Sequence, residues 1–177
     1  MQSVTIQAQL LTAAAFAPFG DVIETAERTP RLINEGTCER FDDLAHVDVL
    51  ERDGRPLLSI FNAKPRTLPF EIKTLERHPL SSQAFYPLDG MPFLVVVAEE
   101  GAAGRVGRIH AFHAAGNQGV SYRRNTWHHA LLAIGQSSRF LVVDRGGPGE
   151  NCEEVRIDPA VWVSVFPANE AKNRDNR

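Results

Sequence analysis

The chain has 177 residues, of which 43% are hydrophobic and 23% charged, with a formal charge of −3. That length suits one domain burying roughly 70% of the surface its unfolded chain would expose. The composition excludes disordered and membrane-spanning classes, and the charge argues against a nucleic-acid binder, which would carry a basic face.

From the amino terminus, "MQSVTIQAQLL" has no basic leader, and "TAAAFAPFG" predicts a short helix over Thr12 to Ala17, broken at Pro18 and Gly20. Short β-rich runs bounded by glycine and proline follow: "PLLSIF", "QAFYPL", "PFLVVVAEE", "RIHAFHA", "GVSYRR", "ALLAI" and "RFLVVDRGG". Breakers such as "GAAG", "AAGNQG" and "GGPGEN" recur too often for long helices between about Pro56 and Gly149. The expectation is one all-β domain over residues 1–177, a barrel or sandwich, with short helices only at the edges. The second edge helix is expected at Pro159 to Val163, and the polar tail from residue 169 is expected to fray.

Phe93 to Ala98 is the longest apolar run at six residues, far below the ~20 that a membrane helix needs. Cys38 and Cys152 are too few for a disulfide framework and stand in no paired ligand spacing, so both are expected as reduced thiols of a cytoplasmic protein.

The chemistry-bearing residues concentrate in two places. In "LERHPLSSQAFYPLDG", Glu76 and His78 share one face if "LERHP" ends a strand, and Gln83 begins the next strand after a turn at Pro79 to Ser82. One strand, one turn and one return strand then bring a carboxylate, an imidazole and an amide oxygen together. The plainer alternative is a surface pair of Glu76 with Arg77 and a turn capped by His78. In "GVSYRRNTWHHALLAI", His128 shares even parity with Tyr122 and Arg124, with His129 in reserve. His46, His110 and His113 fit no ligand spacing and are expected at the surface or in turns. Asp144 and Arg145 close a strand before a glycine-rich turn, which an Asp–Arg pair would anchor.

The spacing of Glu76, His78, Gln83 and Gly90 resembles the first cupin motif, and Gly119 with the histidine pair resembles the second, although the count from Gly119 reaches Ala130. Together "FAPFGDVIE", "INEGTCERFDDLA", "LERHPLSSQAFYPL", "QGVSYRRNTWHHALLA" and "LVVDRGGPGENCEE" resemble the ureidoglycolate lyase family from about Phe16 to Glu154. The resemblance implies a cupin-like double-stranded β-helix barrel, a homodimer, and release of glyoxylate and urea from ureidoglycolate in allantoin degradation. One departure is Asn62 in "FNA", where the family often carries arginine; Arg66, four residues on, is the substitute.

This chemistry asks for a base, an acid and a carboxylate clamp. Glu76 or His78 is the base, Tyr122 the proton donor, and Arg124 or Arg145 the clamp, because a guanidinium fork matches two carboxylate oxygens. Gln83, Arg66 and Trp127 complete the substrate-binding set. If a metal is used, Glu76, His78, Gln83 and His128 are its ligands, a nitrogen and oxygen set suited to Ni2+ or another divalent metal. A metal-free site using the same residues stays open. No organic cofactor, nucleic acid or membrane is expected. The alternatives are a noncatalytic cupin that binds a small hydroxy or keto acid, and another metal-dependent cupin enzyme.

Overall fold

The computed structural model describes residues 4–165, so the tail expected to fray from residue 169 lies outside the described residues. Its strands are β1 (Val4–Gln7), β2 (Gln9–Leu10), β3 (Gly20–Ile23), β4 (Arg31–Ile33), β5 (Cys38–Arg40), β6 (Arg55–Ala63), β7 (Phe70–Arg77), β8 (Gln83–Pro87) and β9 (Phe93–Glu100). They continue as β10 (Val106–Ala114), β11 (Gly119–Tyr122), β12 (Trp127–His128), β13 (Leu132–Ala133), β14 (Ser138–Gly146) and β15 (Glu153–Ser164).

One sheet runs β1-β15-β7-β12-β9-β10-β2 with β13 against β9, a second runs β3-β11-β8-β14-β6, and β4 pairs with β5. The two large sheets face each other. Their common core joins Phe93, Val95, Val97 and Phe112 of the first to Phe85, Val120, Phe140 and Val142 of the second. The result is the expected all-β, cupin-like barrel.

Strand β9 explains its own unbroken apolar run. Phe93, Val95 and Val97 enter the core between the sheets, while Leu94, Val96 and Ala98 join a second cluster with Ile72, Leu75, Trp127 and Val163. Buried on both faces, it has no need of the polar alternation of a half-exposed strand.

The helix α1 (Ala13–Phe16) forms where expected: Thr12 accepts through Oγ1 from the Ala15 N–H at 3.2 Å, and Phe16 is buried in the core. The helix expected at Pro159 to Val163 is instead part of the twelve-residue β15. That strand pairs with β7 from Glu153↔Arg77 to Arg156↔Thr74 and again from Val161↔Ile72 to Val163↔Phe70, with the register shifting between. Pro159 sits in that irregularity, where no ladder N–H is required of it.

Candidate functional site

The register stacks apolar and polar rows across the barrel. On the second sheet Val120 and Val142 both pair with Phe85, forming an apolar row. Two residues further along, Tyr122 pairs with Gln83, and side chains of the same face recur every second residue. On the facing sheet His128 is paired with both Val97 and Glu76, so these three share a face. The apolar layer therefore ends where Glu76, Gln83, Tyr122 and His128 begin, with His78 just past the end of β7.

Glu76, His78 and His128 offer ligand atoms that all lie within 4.8 Å of one another. Both rings are oriented by the backbone. His78 Nδ1 donates to the Asn151 carbonyl at 2.6 Å, and His128 Nδ1 to the Thr126 carbonyl at 2.8 Å. In the tautomer that carries its proton on Nδ1, each ring turns the lone pair of Nε2 inward.

His78 Nε2 then meets the Gln83 Oε1 oxygen at 3.2 Å. His128 Nε2 lies 3.5 Å from Glu76 Oε1, too long for a good hydrogen bond, and has no hydrogen-bond partner among the described residues although His128 is only 1% exposed. Two lone pairs, an amide oxygen and a carboxylate thus converge with no proton between them. Donors sharing a divalent ion at about 2.1 Å and 90–110° stand roughly 3.0–3.4 Å apart; the two separations given come near that range, in a cluster whose ligand atoms spread no wider than 4.8 Å. The residues fit a metal ion.

The Glu76 carboxyl is held below its ordinary value by the His128 imidazole beside it, outweighing the burial that raises it, which marks this as a place where positive charge, a proton or a cation, is favoured. Burial holds His128 below the ordinary histidine value, so it stays neutral and ligand-competent. Burial pushes the Tyr122 hydroxyl well up, aided by the Glu76 charge, so it stays protonated. The Tyr122 ring stacks on His128 with centroids 4.2 Å apart and planes 16° from parallel.

A cavity of about 340 Å³ opens onto the cluster, lined by Phe61, Asn62, Ala63, Glu76, Gln83, Phe85, Ala130 and Leu131. Asn62, the departure noted in the sequence, thus stands at the cavity that Glu76 and Gln83 line.

The structure does not bring the other expected residues to this cavity. Arg124 grips Asp48 with both fork nitrogens, at 3.0 and 2.8 Å, and reaches Glu51 at 3.2 Å. Arg145 is buried and donates to the carbonyls of Glu51, Arg52 and Pro148. It anchors the turn without help from Asp144. Trp127, one residue from His128, points to the opposite face, where Arg77 lies 4.4 Å above its ring and Nε1 donates to the Gly104 carbonyl. Arg66 lies over the Phe70 ring at 5.5 Å. His129 packs edge-on against Phe70 and its Nδ1 bonds the Ala130 carbonyl. His110 and His113, expected at the surface or in turns, are partly buried in β10, where His110 Nε2 contacts Glu99 at 2.7 Å.

Asn151, which orients His78 through its carbonyl and bonds the Leu80 N–H and Ser81 through its side chain, was not anticipated from the sequence. Its place in the glycine-rich loop after β14 is the only sequence signal available.

The model of the family described as ureidoglycolate lyase matches residues 3–164. A ureidoglycolate lyase of Burkholderia mallei (strain NCTC 10229) is 51% identical over 160 residues, covering 90% of this chain and 94% of that protein. One from Rhizobium etli (strain CIAT 652) is 54% identical over 144 residues, covering 81% and 86%. One from Brucella anthropi is 53% identical over 154 residues, covering 87% and 90%.

Proposed function

The chain belongs to the ureidoglycolate lyase family, and from that premise we infer that it cleaves ureidoglycolate to glyoxylate and urea at the cluster of Glu76, His78, Gln83 and His128. The observation that carries the assignment to this cluster is the convergence of two backbone-oriented imidazole lone pairs on a carboxylate beside the cavity.

The reaction breaks the bond between the central carbon and the ureido nitrogen, turns the hydroxyl into a carbonyl, and moves one proton from that oxygen to the departing nitrogen. Both atoms are bonded to the same carbon, so a single carboxylate at the cavity wall reaches both. Glu76, its carboxyl below the ordinary value, takes the hydroxyl proton and returns it to the nitrogen. His78, His128 and Gln83 would hold a divalent metal, Ni2+ or another ion that accepts nitrogen and oxygen donors, with Glu76 beside them. Such an ion, when bound, supplies Lewis acidity that makes the hydroxyl more acidic and a positive charge that faces the substrate carboxylate. Arg124 and Arg145 are already engaged by this chain's own acceptors and are poorly suited as clamps. Tyr122 braces the His128 ring in this reading rather than serving the leaving group.

A metal-free version rests on one contact: a doubly protonated His78 would donate to both Asn151 and Gln83. The deciding experiment incubates chelator-treated protein with racemic ureidoglycolate and follows glyoxylate and urea. The expected result is activity below about a tenth that returns when one divalent metal is added, with equal amounts of the two products. Full activity without metal would retire the metal centre, and ammonia in place of urea would retire the lyase outcome.

The homodimer and the cytoplasmic location belong to the same proposal. Leu58 and Ile60 are exposed on β6, the outermost strand of its sheet, an apolar edge that pairing with a second copy would cover. The free thiols Cys38 and Cys152 suit a reducing compartment. A monomeric mass in sedimentation would remove the dimer.

A further inference from the structure

The pairing of β14 with β8 runs from Phe140↔Pro87 to Val143↔Ala84, and continuing it by one residue sets Asp144 opposite Gln83. Asp144 shares the inner face with Val142, two residues before it, and its other cross-strand partner is the apolar Leu57. Its Oδ1 atom is buried and has no hydrogen-bond partner among the described residues. Burial raises the Asp144 carboxyl above its ordinary value, and the Gln83 amide beside it opposes that rise.

Gln83 therefore has an acceptor on each side. One is the buried Oδ1 of Asp144, and the other is the Nε2 atom of His78 in the tautomer whose Nδ1 donates to Asn151. The amide has one NH2 end to give. The buried Oδ1 of Asp144 has no other donor among the described residues, whereas the His78 ring is already held by the Asn151 carbonyl, so the NH2 end goes to Asp144. The carbonyl end is left facing the imidazole lone pair, an unfavourable contact that a cation between them turns into two ligand bonds.

Building on the metal reading above, we propose that Asp144 is a positioning residue that keeps the Gln83 amide turned with its NH2 toward Asp144 and its oxygen toward His78, and so keeps Gln83 an oxygen donor. Asp144 touches neither metal nor substrate. Its effect passes through the orientation of one amide.

The test measures divalent-metal affinity by calorimetry in the native protein, Asp144→Asn, Gln83→Glu and the double variant, with Tm recorded on the same samples. Asparagine keeps the shape of Asp144 but offers Gln83 either a donor or an acceptor, so both amide orientations become allowed. The expected result for Asp144→Asn is affinity weakened about tenfold, the lower end of what outer-shell partners contribute, with Tm unchanged or raised. A glutamate at 83 has two equivalent oxygens and needs no orienting, so in the Gln83→Glu background the same change should alter affinity less than about threefold.

Equal weakening in both backgrounds overturns the proposal, as does undiminished affinity in Asp144→Asn. A fall in Tm without a change in affinity would make Asp144 merely structural. If the native protein takes up no metal, the metal centre itself fails, and the Gln83 side-chain NH2 resonances then decide: displacement by Asp144→Asn supports the orientation and unmoved signals overturn it.

Discussion

The metal-like cluster and the arginine pair beside it treat buried polarity in opposite ways. Arg124 and Arg145 spend their donors on Asp48, Glu51, Arg52 and Pro148, tying the loop of residues 48–53 to the barrel. His78 and His128 use one nitrogen each for the backbone and leave the other facing Glu76 or Gln83 without a proton to share. A saturated polar group holds the fold, whereas an unsatisfied one costs stability and persists where a ligand completes it.

The largest effect that would break this contrast is on turnover. Glu76→Gln keeps the shape and removes the proposed base, so glyoxylate release should fall about 10²- to 10⁴-fold. Its Tm should shift little, because Glu76 is only half-buried. Retained activity would move the chemistry elsewhere.

Arg145→Met is next, and its effect should be on stability alone. It leaves three carbonyls without their donor in a buried setting, at a cost of about 3 kcal/mol in denaturant unfolding. The folded fraction should keep its KM for ureidoglycolate, and a raised KM would restore Arg145 as a clamp.

A pH series sharpens the histidine side. Burial holds His113, His128 and His129 below the ordinary histidine value, so the unfolded chain binds more protons than the folded one below about pH 6.5. Stability must then fall on acidification. The Tm of metal-free protein should drop by several degrees from pH 7.5 to 5.5, a window above the range where the lowered Glu76 and Asp89 carboxyls titrate. A flat profile would contradict neutral burial of these rings.

The smallest effect belongs to Arg124→Ala. Its ion pairs are partly exposed, so it should cost at most about 1 kcal/mol and leave KM unchanged.

Much of this was legible in local pattern. Recurrent breakers and short apolar runs mark the strands, and the two-residue period puts Glu76 and Gln83 on the inner faces of β7 and β8. Tyr122 and His128 stack although they lie on strands of different sheets, so parity along the chain does not account for their meeting. Parity failed for Arg124, which lies beyond the end of β11, where alternation no longer sets direction. The expected helix at Pro159 to Val163 misread a proline that a strand irregularity tolerates.

By itself, the sequence determined the all-β class, the family, and the residue types of the candidate site, because period, breakers and motif spacing are properties of neighbours along the chain. Only the tertiary structure decided which polar atoms remain unsatisfied. That depends on distant partners: Asn151 oriented against His78, Asp48 against Arg124, Glu51 against Arg145, and Asp144 set across from Gln83. Each of these pairs lies many residues apart, and burial makes each choice consequential by removing the water that would otherwise satisfy them all.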